Sequence, residues 1–97
     1  MAENIGRYMV ASEVGPIPGR VTQRWLIECR HGTALGHVQW LSSWRQYVFL
    51  PAPMTEYSAG CLQDMATFLE RVTRQRVQER NRQVVAAAAT KGSAKDV

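Results

Sequence analysis

Residues 61–91 contain neither glycine nor proline. No other part of the chain runs as far without a helix breaker, and Arg, Gln, Glu and Ala, which fill much of it, are good helix formers. Inside the run, Leu62, Met65, Leu69 and Val72 recur at three- and four-residue steps, with Cys61 and Phe68 beside them. That spacing draws one apolar stripe down a helix. It predicts a helix from about residue 60 to at least Arg82, extending toward Ala89 and fraying thereafter, with a disordered tail from Lys91. The neighbourhood of Ser58 supplies the N-cap, and Asp64 lies near the positive end of the helix dipole. The stripe gives out before the helix does. Arg76 falls on the side of Leu69 and Val72, where a core contact would otherwise stand, so the helix has outrun its body or meets a partner there.

Upstream the period is two. A short strand is expected within residues 7–14, followed by the loop Gly15-Pro16-Ile17-Pro18-Gly19, whose prolines fix φ and remove two donors. In 24–30, Trp25, Ile27 and Cys29 point one way and Arg24, Glu28 and Arg30 the other, with Leu26 the exception. In 34–41, Val38 and Trp40 share a face opposite Leu35, His37 and Gln39. A third strand is expected at 44–50, rich in aromatic and β-branched residues, ended by Pro51 and Pro53. Short connections make an antiparallel meander the natural arrangement. The expected fold is α+β: a three- or four-stranded antiparallel sheet packed against one long C-terminal helix. Residues 1–20 form an N-terminal strand and loop, 21–82 the single domain, and 83–97 the helix end and tail.

A chain of 97 residues buries one core, too small for a cofactor domain plus a substrate domain. Its net charge of +4 sits in one place: Arg71, Arg74, Arg76, Arg80 and Arg82 stand against Glu79 alone, and the remaining charges cancel. No apolar run approaches the roughly 20 residues of a membrane helix, so no membrane partner is expected. Residues 1–7 lack the charged start and apolar stretch of an export signal, which points to a cytoplasm with Cys29 and Cys61 as reduced thiols.

The arginine segment is the first candidate site. Guanidinium groups neutralise and bidentately bind phosphate. Around the helix, Arg71, Arg74 and Arg82 lie away from the apolar stripe, whereas Arg76 and Arg80 fall nearer it. The same residues also suit a solvated helix with salt bridges, such as Glu70 to Arg74, worth about 0.2–0.5 kcal/mol. Aromatic residues give the second candidate. Trp25, Trp40 and Phe49 are expected in the core, leaving Trp44 and Tyr47 exposed on either side of Arg45 as a contact patch. With Trp44 and Gln46 facing the core, Arg45 and Tyr47 would project together toward a carboxylate or phosphate. Cys29, His31, His37 and Cys61 lack zinc-ligand spacing, and no nucleophile motif is present. Neither metal, cofactor nor catalysis is therefore expected.

The run Gly36-His37-Val38-Gln39-Trp40, then Trp44-Arg45-Gln46-Tyr47-Val48-Phe49-Leu50-Pro51, then Thr55, Tyr57 and Cys61-Leu62-x-Asp64-x-x-x-Phe68 resembles a group of short phage and prophage proteins. The resemblance covers roughly residues 25–72. It implies a mobile-element gene expressed in a bacterial host cytoplasm, and no mechanism. The longer N-terminus and the Arg-rich, Ala-ended helix depart from that group.

The expectation is a non-enzymatic phage-type protein that engages nucleic acid or a nucleoprotein through Arg71, Arg74, Arg76, Arg80 and Arg82. The alternative is a protein-directed inhibitor or adaptor, such as an antagonist of a host defence complex, using Trp44, Arg45 and Tyr47. Self-association through Val77, Val84 and Val85 has only a thin apolar seam.

Overall fold

The computed structural model describes residues 2–95, with side chains to Arg82. Five strands precede one helix: β1 (Ala2–Ile5), β2 (Met9–Glu13), β3 (Trp25–Cys29), β4 (Ala34–Leu41), β5 (Gln46–Pro51) and α1 (Ala59–Lys95). The strands form a single antiparallel meander in the order β1-β2-β3-β4-β5. The fold is α+β as expected, but with five strands where three or four were anticipated. The expected strand at 7–14 is the second arm of a hairpin. β1 escapes a reading by pattern because Ala2, Glu3 and Asn4 are exposed and only Ile5 is buried.

Period-two alternation places one face of the sheet under α1. Met9, Ala11, Trp25, Ile27, Val38 and Tyr47 are buried there with Ile5, against Met65, Phe68 and Val72 of the helix. Rings carry much of this packing. Trp25 meets Tyr47 at 5.2 Å and Phe68 at 5.5 Å between centroids, and Trp40 meets Tyr47 at 5.2 Å, all edge to face. Such pairs contribute about 0.5–1.5 kcal/mol each beyond area burial. The opposite face carries Leu26, His37, Gln39 and Val48 in the alternate positions, an arrangement typical of antiparallel sheets with one covered side.

Gly36 marks the tightest point. Its φ is +151°, and it lies opposite Pro51 on β5. A Cβ there would run into the Leu50 carbonyl oxygen and stand 2.9 Å from Pro51 Cα. The register shifts nearby, between Ile27 and Glu28, so β4 is bent where glycine lets β5 approach.

The Gly-Pro loop is pinned at its neck. Gln23 Oε1 accepts from Gly15 N at 2.8 Å and from Arg24 N at 3.0 Å, while Arg24 Nε donates to the Gly15 carbonyl at 2.9 Å. Ser58 caps α1: Cys61 N donates to Ser58 Oγ at 3.1 Å, and Leu62 N to the Ser58 carbonyl at 3.0 Å. The expected helix is present, and its backbone continues to Lys95. The fraying end and tail expected for 83–97 fall where side chains, and for 96–97 the backbone also, lie outside the described residues.

At roughly 1.5 Å per residue, the 37 residues of α1 span about 55 Å. The helix runs along the strands, with Arg71 at β1 and Thr73 at β5, and even the eight residues of β4 span only about 27 Å at roughly 3.4 Å per residue. A helix of this length cannot be covered by this sheet, and the longest dimension of the molecule is accordingly 59 Å.

Candidate functional site

The helix leaves the body in a definable place. Val72 is the last buried residue of its stripe. One residue later, Thr73 Oγ1 accepts a 3.0 Å hydrogen bond from the backbone N–H of Tyr47. Arg76 is half-buried, and its guanidinium acts on the Tyr47 phenol. Burial pushes the Tyr47 hydroxyl above its ordinary value, against smaller lowering contributions from a Gln23 backbone hydrogen bond and Arg76. Beyond Arg76 every residue from 77 to 82 is exposed. This is the arm, and its root lies at the start of β5.

The five arginines do not form one surface. Arg71 turns back to the body: it pairs with Glu3 of β1, and its guanidinium lies 5.3 Å from the centre of the Phe68 ring. Both charged side chains remain partly exposed, so the pair contributes at most about 1 kcal/mol. Arg76 is engaged at Tyr47. Arg74, Arg80 and Arg82 are exposed, and among the described residues none of these three makes a salt bridge. The expected Glu70–Arg74 pair is not formed. Arg71 is thus not a free phosphate ligand, and the signal that separates it from the others, Glu3, is 68 positions away.

The aromatic patch needs a sharper correction. Residues 44 and 45 belong to a turn, not to a strand. Trp44 N donates to the Leu41 carbonyl at 3.1 Å and Arg45 N to the Ser42 carbonyl at 3.2 Å. Arg45 sits at φ +54°, outside any strand conformation. β5 therefore starts at Gln46 with the opposite parity to that expected, and Tyr47 points into the core at 5 % exposure. Arg45 and Tyr47 do not project together. Trp44 is 66 % exposed and stands with Arg45 in the β4–β5 turn, at the end of the sheet where the arm leaves. Trp25 is buried, and Trp40 and Phe49 are partly so. Trp25, Trp40 and Tyr47 pack edge to face with one another or with Phe68.

The remaining candidates are separated by the fold. Cys61 lies on α1 and packs against the core. His37 pairs with Leu26 and Leu50, on the face away from α1. The Cys29 thiol is held below its ordinary value by the Thr33 side chain and backbone. Among the described residues no three His, Cys, Asp or Glu side chains come together as a metal site. No helix of the described residues is long and apolar enough to cross a membrane.

Sequence reading missed a groove between α1 and β5, of about 680 Å³. Leu62, Ala66 and Leu69 line it from the helix, with Glu70 and Arg74 at its rim. Leu62 belongs to the expected core stripe but is 53 % exposed; it forms the groove wall. No protein-family model, curated protein or solved structure matches this chain.

Proposed function

We propose that this is a non-enzymatic, phage-type binding protein that engages nucleic acid or a nucleoprotein through the arginine arm. The observation that carries the reading is the exposure of Arg74, Arg80 and Arg82, three of the five arginines of the 71–82 segment in which the net charge of an otherwise neutral chain is concentrated. Arg74, Arg80 and Arg82 are the phosphate ligands. Arg76 and Arg45 add positive charge at the root of the arm, and Trp44 offers a ring for an unpaired base. Arg71 braces the helix on β1 and is outside the set.

Anisotropy titrations with duplex DNA, single-stranded DNA and RNA at low and moderate salt test this. Each neutralised phosphate of duplex DNA adds about 0.9 to the slope of log affinity against log salt. Three exposed arginines therefore predict a slope of about −2.7 for duplex DNA. Absence of binding at low salt to all three polymers ends the proposal.

A second reading is favoured by Trp44, a large ring left exposed in a turn beside a cation. Trp and Arg are the residues that most often dominate protein interfaces. In that reading the protein is an inhibitor or adaptor directed at a protein complex of a bacterial host. A complex that survives nuclease treatment but is lost with Trp44→Ala supports it over the nucleic-acid reading.

A further inference from the structure

The groove between α1 and β5 has a strand edge for one wall. Gln46, Tyr47, Val48 and Phe49 line it consecutively. Successive side chains of a strand point to opposite faces, so a cavity touching all four residues touches the backbone itself. β5 is the last strand of the sheet and has no neighbour on this side. Ala52 N donates to the Leu35 carbonyl of β4 at 2.8 Å, which fixes even-numbered residues as those bonded inward. Tyr47 N donates outward, to Thr73. The outward groups are therefore the Tyr47 carbonyl, both backbone groups of Phe49 and the Pro51 carbonyl. Thr73 satisfies the Tyr47 donor, and among the described residues the other outward groups have no partner.

We propose that this edge takes an extended peptide as a sixth, antiparallel strand, with an apolar side chain opposite Phe49 and a carboxylate two residues later. Side chains directly opposite one another in an antiparallel pair share a face. The peptide residue opposite Phe49 thus enters the groove between Leu62, Ala66 and Leu69, while its backbone makes both hydrogen bonds to Phe49. The residue opposite Pro51 donates to the Pro51 carbonyl; at the other end regular pairing stops after Phe49, because Thr73 Oγ1 already fills the acceptor position at Tyr47 N, and the residue that comes level with Tyr47 turns off the edge. In antiparallel order that last residue follows the apolar one by two places. It lies beside Thr73, where the next helix residue is Arg74, which makes no salt bridge among the described residues. A glutamate, an aspartate or a chain-terminal carboxylate complements it. Glu70 stands one turn earlier on the rim and disfavours an acid at the apolar position. Main-chain bonds supply affinity and the alternate side chains supply specificity in such strand addition.

A second copy of this chain fits the edge poorly. Two β5 strands paired about Phe49 bring Pro51 level with Tyr47. Proline has no charge for Arg74. The groove volume is within the roughly 300–1,000 Å³ usual for ligand sites, enough for one strand's side chains.

The test is selection of a displayed library of randomised eight-residue peptides on the full chain, followed by anisotropy with labelled winners. Leu, Ile, Val or Phe followed two places later by Asp, Glu or the C-terminus is expected to be enriched. Leu62→Arg, at a half-exposed position, is expected to weaken the winners by about tenfold or more, with Ala66→Arg as an independent block of the same wall. Arg74→Glu is expected to shift the preference at the acidic position to Lys or Arg. Acidic peptides that merely coat the arm would bind Leu62→Arg as well or better, which would overturn the proposal. So would a library with no enrichment, or a dimer in sedimentation that Leu62→Arg dissolves.

Discussion

At the residue scale, two side-chain positions decide how β5 meets its neighbours. Gly36 permits the approach of β5 because nothing fits between its Cα and the Leu50 carbonyl. The obstruction is backbone, which cannot rotate away, and the φ of +151° is itself unfavourable for other residues. Gly36→Ala should destabilise the fold by about 1–3 kcal/mol, the usual cost of overpacking, seen as a lower midpoint in urea with an unchanged slope. Tyr47 makes a different prediction. Burial raises its pKa above the unfolded value near 10, so the folded chain holds the phenolic proton more tightly than the unfolded chain. Its contribution is complete below about pH 10 and is lost as pH rises through the folded pKa. Stability measured from pH 9 upward should therefore fall, and Tyr47→Phe should flatten that fall. An identical alkaline loss in the two proteins refutes the assignment. Neither role was legible in sequence. Tyr47 looks outward-facing when 44–50 is read as one strand, and only the positive φ of Arg45 shows that the alternation restarts at Gln46.

At the scale of elements, what could be read was what repeats locally. In β3 and β4, Trp25, Ile27 and Val38 are buried as a period of two requires, despite the apolar Leu26 out of phase and the register shift at Ile27. The helix start followed from Ser58 and the stripe. β1 has a single buried residue and is held by pairing with β2, a non-local cause that no window of sequence contains. The groove is missed for the same reason. It depends on where α1 lies relative to the edge of β5, and the lateral position of a helix has no signature in its own sequence. Thr73 is the contact that fixes this position, because its hydroxyl holds the Tyr47 N–H across 26 residues. Thr73→Val keeps the shape and removes the acceptor. It should cost about 0.5–1.5 kcal/mol, the net worth of one hydrogen bond. Native-state exchange of the Tyr47 amide should accelerate by more than that of the Val38 amide inside the sheet. Equal acceleration at both sites would mean global destabilisation and no special role for the contact.

At the scale of the whole molecule, the length of α1 carries its last two described arginines, Arg80 and Arg82, clear of the core. The sheet and residues 61–76 of the helix hold the core, while residues 77–82 touch solvent on all sides. Exposed substitutions remote from packing usually change stability by less than about 0.5 kcal/mol. Arg80→Gln with Arg82→Gln should therefore leave the unfolding midpoint nearly unchanged. If the arm neutralises phosphates, the same pair of changes should lower the salt slope for duplex DNA by about 0.9 for each arginine lost. Arg71→Gln should behave in the opposite way, since its partners are Glu3 and the Phe68 ring. It should reduce stability slightly and leave the salt slope alone. This reciprocal pattern distinguishes a binding arm from a basic helix that is only solvated. A solvated helix gives no slope to reduce, and a diffuse field of net charge loses as much slope from Arg71→Gln as from either arm substitution.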